Sequence, residues 1–196
     1  MARRGGTRLQ RWRVPLGFAC AAVFLVLARP TLKGLLWGGA VALVGLAVRA
    51  WSAGHIRKNA ELAVSGPYAY TRNPLYFGSF VLGLGFTVAA SNGPALFLLL
   101  GGLFALLFFG IYLPVMRLEA KTLEQLFGED YRAYAAAVPL LLPRFSPYRP
   151  AGASETTTDV RFDPSLYMRY REYRAGLGLV VAWGVLAVKA VLAFPN

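Results

Sequence analysis

This chain of 196 residues is poor in the side chains that build most soluble active sites. It has one cysteine, Cys20, and one histidine, His55. A lone cysteine excludes an internal disulfide, and one of each leaves no ligand set for a transition metal. Acids are scarce too: nine Asp and Glu stand against 21 Lys and Arg, and charged residues make up only 15%, where an ordinary soluble domain carries about 25%. Neither G-x-G-x-x-G nor G-x-x-x-x-G-K-[ST] occurs, so the usual soluble loops for dinucleotides and phosphates are not encoded.

What the chain has in quantity is apolar length. It is 57% hydrophobic, with a mean hydropathy of +0.49. A bilayer core needs about 20 mostly apolar residues per helix and tolerates about 17. Runs near 14–28, 32–51, 75–90, 94–116 and 177–194 meet or approach that length, the first and third only with their flanks or a tilt. The expectation is an all-α, polytopic membrane helical bundle of about five transmembrane helices. The parts are an N-terminal hairpin (14–51), a core (52–150), a linker with an interfacial helix (151–174) and a last membrane helix (175–196). Arginines before an apolar run resemble a signal peptide, yet Arg29-Pro30 follows with no convincing cleavage pattern, so a retained anchor is expected.

The net charge of +12 has an ordered distribution. With the N-terminus inside and the spans alternating, every basic residue except Arg29, Lys33 and Lys189 falls on the cytoplasmic side. That asymmetry sets membrane orientation and favours anionic headgroups; it argues against nucleic acid as the partner. The outer connections are turns, whereas the inner side carries a loop of about two dozen residues and the long stretch 117–176. Any site therefore faces the cytoplasm, and a prokaryotic inner membrane is the expected location. Gly34, Gly38, Gly78, Gly83 and Gly85 permit close helix approach, either inside one bundle or across a homodimer.

Two polar clusters stand at that inner edge. In Gly66-Pro67-Tyr68-Ala69-Tyr70-Thr71-Arg72-Asn73-Pro74-Leu75-Tyr76-Phe77-Gly78, Pro74 suits the first position of a helix and Asn73 its N-cap. Free N–H groups and Arg72 would then make an anion-binding corner, with Tyr68, Tyr70 and Tyr76 as flat surfaces for an aromatic ligand. The alternative is a capped helix start with a snorkelling arginine. In the second cluster, Glu119 lies within roughly 60° of Val115, Met116, Leu123 and Leu126 at about 100° per residue. A carboxylate in an apolar stripe needs a cation or a donor, and Arg72 is the expected partner. Pro114 is expected to kink this helix and Gly128 to end it; Tyr131 and Tyr134 then share a face at i, i+3. His55 is either a ligand hydrogen-bonding group or an interfacial residue.

Together the clusters resemble the isoprenylcysteine carboxyl methyltransferase and phospholipid methyltransferase family of integral membrane enzymes. Its first motif, G-P-Y-x-x-x-R-H-P-x-Y-x-G, is matched by Gly66, Pro67, Tyr68, Arg72, Pro74, Tyr76 and Gly78. Its second, E-E-x-x-L-x-x-x-F-G-x-x-Y-x-x-Y, is matched by Glu119, Leu123, Phe127, Gly128, Tyr131 and Tyr134. The resemblance spans roughly residues 51–143. It implies S-adenosylmethionine as methyl donor, bound at the cytoplasmic face among His55, Gly66, Pro67, Tyr68, Tyr70, Arg72, Asn73, Pro74, Tyr76, Glu119, Tyr131 and Tyr134. It also implies a lipophilic acceptor arriving from the bilayer. Arg72, Asn73 and Glu119 are the expected catalytic group. Two positions depart from the family pattern: Asn73 replaces its histidine and Ala120 its second glutamate. Asparagine cannot take up a proton, so orientation of an already ionised acceptor would carry most of the catalysis. A membrane reductase of the sterol-reductase type using NADPH, or a non-catalytic relative that keeps the pocket, are the alternatives.

Overall fold

A computed structural model describes residues 8–57, 61–150 and 161–193. The extreme N-terminal arginines and the expected linker 151–158 lie outside those residues. Among the described residues six α-helices follow one another: α1 (Arg8–Leu27), α2 (Leu32–Ala53), α3 (Pro74–Ala90), α4 (Pro94–Ala137), α5 (Pro164–Arg169) and α6 (Tyr173–Ala193), with a 3-10 turn at Gly66–Ala69. Among the described residues there is no strand. Helices α2, α4 and α6 are long and apolar enough to cross a membrane, and α3 is a shorter apolar helix of 17 residues.

The two ends of the bundle are identified by polar contacts. At one end, the Arg29 N–H donates to the Ala90 carbonyl at 2.8 Å, and Lys189 of α6 donates to the Leu25 and Val26 carbonyls that α1 leaves free. At the other end, Arg49 of α2 meets Leu75 and Ser79 of α3 and Glu172 beside α6. Arg29 and Lys189, two of the basic residues expected on the outer side, thus lie at the end opposite the polar segments.

Helices α2 and α3 pack most intimately, and their glycines are the reason. A Cβ on Gly45 would lie 2.4 Å from the Leu82 nitrogen, and one on Gly38 2.5 Å from the Gly85 carbonyl oxygen. No side chain larger than hydrogen fits between these backbones. The small residues therefore serve packing within one bundle. A phenylalanine layer, Phe80 with Phe104, Phe108 and Phe109, joins α3 to α4.

Helix α4 runs far past membrane length. Helical dihedrals persist through Pro114, and the break falls at Gly128 (φ 52, ψ −121). Neighbouring structure in membrane helices compensates for a proline's missing N–H, whereas a left-handed φ is one that glycine alone adopts readily. The expected interfacial helix is only one and a half turns long. Asp163 caps it through the Ser165 N–H at 2.8 Å, and Arg171, at φ 57, turns the chain into α6.

Candidate active site

The first motif folds as a turn because of two residues. Gly66 has φ +56, and a Cβ there would lie 2.5 Å from His55 Cδ2. Pro67 then opens the 3-10 turn with its fixed φ. His55 stands behind this turn as a packing post: its Nδ1 meets the Trp51 carbonyl at 2.8 Å, and its ring lies between Trp51 and Phe162. The turn aims Tyr68 inward, and Tyr134 donates its hydroxyl to the Tyr68 carbonyl at 2.7 Å.

From Ala69 to Asn73 the chain is clamped by the segment after α4. The Arg72 N–H donates to the Pro139 carbonyl, the Arg144 N–H to Tyr70 and the Tyr148 N–H to Ala69, each at 2.9 Å. Thr71, fully buried, gives its hydroxyl to Leu141 at 2.9 Å. Asn73 does occupy the N-cap position of α3, but its side chain makes no capping bond. Its amide donates to the Leu140 carbonyl at 3.0 Å instead. The bond to Leu140 turns the amide toward the clamp, and the side-chain oxygen is left without a helix N–H to accept from.

Arg72 and Glu119 form no ion pair with each other. The Arg72 Nη1 donates to the Tyr131 hydroxyl at 3.3 Å, and Glu119 accepts from the Tyr76 hydroxyl at 3.0 Å. Nor is Glu119 buried: the apolar stripe that carries it sinks at Val115 and Met116 and emerges by Leu126, 53% exposed. The stripe is continuous along the helix, whereas burial along it is not, and Glu119 falls on an exposed stretch beside the cavity. There Glu119 reaches solvent, so it has no need of a guanidinium partner.

Both residues nevertheless line one cavity of about 530 Å³, walled also by Tyr68, Asn73, Pro74, Tyr76, Tyr131 and Tyr134. That volume suits a small-molecule site. Of the residues expected at the site, His55, Gly66, Pro67 and Tyr70 do not reach its wall; they shape the turn behind it. Arg49, Ser79 and Tyr112 do reach it and were not anticipated. Arg49 had a signal: an arginine within an apolar span, one turn before its end, marks a functional position by default.

Buried polar side-chain atoms nearly always find partners. Among the described residues three do not: Arg49 Nε, Tyr68 OH and Arg72 Nε. All three belong to residues of this one cavity wall. Burial also pushes the Tyr68 phenol far above its ordinary value, so it remains a proton donor across the physiological range.

An all-helical bundle with three helices long and apolar enough to cross a membrane, and a tyrosine- and arginine-lined cavity, defines the class: an integral membrane protein. The sequence model for phospholipid methyltransferases matches residues 35–130, and the chain belongs to this family of membrane methyltransferases. The match begins within α2, earlier than the two motifs alone suggested, and ends near Gly128. Two curated relatives are similar over much of their length. The cobalt-zinc-cadmium resistance protein CzcN of Cupriavidus metallidurans is 36% identical over 165 residues, 78% of this chain and 70% of that protein. The nickel-cobalt-cadmium resistance protein NccN of Alcaligenes xylosoxydans xylosoxydans is 36% identical over 116 residues, 57% of this chain and 49% of that protein. No solved structure matches the chain.

Proposed function

We propose that the polar cavity is the site of an S-adenosylmethionine-dependent methyltransferase that acts on an amphiphile at the cytoplasmic membrane face. The observation that carries this is that Arg49, Tyr68 and Arg72, each with an unpartnered buried polar atom, line one cavity. S-adenosylmethionine supplies a methyl group on a positively charged sulfur, together with an amino-acid carboxylate and an adenine. Arg72 and Tyr68 are suited to the carboxylate. Glu119, held by Tyr76, is suited to the ammonium, and the Tyr131 and Tyr134 rings offer flat walls.

The chain's own groups limit the acceptor. Asn73 commits its amide to Leu140 and has no proton to exchange, and Ala120 leaves Glu119 as the one carboxylate of its pair. An acceptor already ionised near pH 7, such as a prenylcysteine-like carboxylate or a lipid headgroup oxyanion, needs no base. Orientation then supplies the rate. The resistance named for the relatives fits modification of a membrane component better than metal capture. Among the described residues no group of three His, Cys, Asp or Glu could hold a metal ion.

Thermal unfolding of detergent-purified protein with S-adenosylmethionine, S-adenosylhomocysteine or NADPH tests this. The first two should stabilise the protein, by about 2.7 kcal/mol at a hundredfold excess over Kd, and Arg72→Ala and Glu119→Ala should each abolish the shift. Stabilisation by NADPH alone would favour a reductase, and no shift with any of the three would favour a non-catalytic binder.

A further inference from the structure

A second cavity, of about 870 Å³, lies between α1, α3 and α6. Its walls are apolar, with Phe24, Leu82, Phe86, Leu179 and Leu186 among them, and Cys20 faces it from α1. Two residues, Arg49 and Ser79, belong to the walls of both this cavity and the polar one. The Arg49 guanidinium therefore stands at the partition between a hydrocarbon space and a hydrogen-bonding one.

Arg49 is held there on several sides. Its Nη1 donates to Ser79 Oγ and the Leu75 carbonyl, and its Nη2 donates to Glu172 at 2.6 Å. The Nε is buried without an acceptor. Ser79 already gives its own proton to Leu75 at 2.8 Å, so it can only accept from the arginine. Glu172 comes from outside the family-matched segment, on the turn that Arg171 makes in a left-handed conformation (φ 57). A non-glycine residue holds that conformation at a cost, so the acid is kept on the guanidinium by a strained connection.

The geometry points to Arg49 as the positioning residue for an amphiphile whose tail occupies the apolar cavity and whose anionic head replaces Glu172 on the guanidinium. This rests on the polar cavity being the methyl-transfer site, since it places the head where the two cavities meet. Exchange of one oxyanion for another keeps Arg49 paired throughout. A neutral or cationic head in the place of Glu172 would leave the half-buried guanidinium uncompensated, which low-dielectric surroundings penalise. The occupant is thus a hydrocarbon chain ending in a carboxylate or a phosphate.

The test uses the full chain in phosphatidylcholine nanodiscs and a palmitic acid analogue with a diazirine in its chain. Light should attach it to the peptides bearing Cys20 and Leu179. Palmitate and hexadecyl phosphate should compete about tenfold better than hexadecylamine or hexadecanol, as expected for one charge-assisted hydrogen bond. Arg49→Gln should erase that preference. Glu172→Gln removes the competing anion and should tighten palmitate binding, a gain that loss of a merely structural ion pair would not give. Equal competition by the amine, attachment elsewhere, or weaker palmitate binding in Glu172→Gln would overturn the assignment. The headgroup series on the unaltered protein decides the matter even if a variant fails to fold. Normal palmitate labelling without any S-adenosylhomocysteine-induced stabilisation would sink the methyltransferase proposal and leave Arg49 positioning an amphiphile that is bound but not methylated.

Discussion

Tyr134 gives its hydroxyl proton to the Tyr68 carbonyl at 2.7 Å, whereas the Tyr68 hydroxyl is buried with no partner. Removing the two oxygens should therefore have opposite effects. Tyr134→Phe strands a buried carbonyl and should cost about 1–2 kcal/mol in chemical denaturation. Tyr68→Phe relieves an unmet donor and should raise the melting temperature of the ligand-free protein, while weakening S-adenosylhomocysteine binding about two- to tenfold. The pH dependence follows in sign. Burial raises the folded Tyr68 pKa, so its contribution is complete below the unfolded value of about 10 and is lost as pH rises beyond it. Tyr68→Phe should flatten that alkaline decline. At this scale residue types were legible in the sequence and their partnerships were not. Arg72, Asn73 and Glu119 were all singled out, yet Arg72 bonds Tyr131, Asn73 bonds Leu140 and Glu119 bonds Tyr76. Each partner lies tens of residues away, where local spacing carries no information.

Helix starts and stops were more visible. Pro74 begins α3 and Gly128 breaks α4, because each imposes a backbone requirement that no tertiary contact has to supply. Pro114 shows the limit of such signals, since its surroundings leave the helix dihedrals intact. The α2–α3 contact adds a demand on volume. Gly45→Ala would place a methyl group 2.4 Å from the Leu82 nitrogen, and overpacking of this kind costs about 1–3 kcal/mol. Its melting temperature should fall, while Gly102→Ala in α4, with nothing within 4 Å, should be neutral or slightly stabilising through helix propensity. Equal effects of the two would mean that α2 and α3 do not approach this closely.

At the scale of the whole molecule, the contacts Arg29 to Ala90 and Lys189 to α1 gather one end of the bundle, and Arg49 to Glu172 the other. Sidedness can be tested directly. In a Cys20→Ser background, Asn92→Cys and Glu129→Cys should react with a membrane-impermeant maleimide from opposite faces of sealed vesicles, Glu129→Cys from the cytoplasmic one. The segment after α4 could not be recognised from the sequence as the clamp over residues 69–73, because its bonds run mostly through backbone groups that every residue possesses. By itself the sequence determined the membrane class, the helical periods, the asymmetry of basic residues and the two motifs that belong to the family. These depend on composition and on order along the chain. Only the tertiary structure decided that Arg72 and Glu119 face one cavity without pairing, that His55 stands behind the wall, and that Arg49 divides a polar space from an apolar one. Those outcomes depend on which distant groups packing brings within hydrogen-bond reach, a short-ranged interaction that fails beyond a few ångströms.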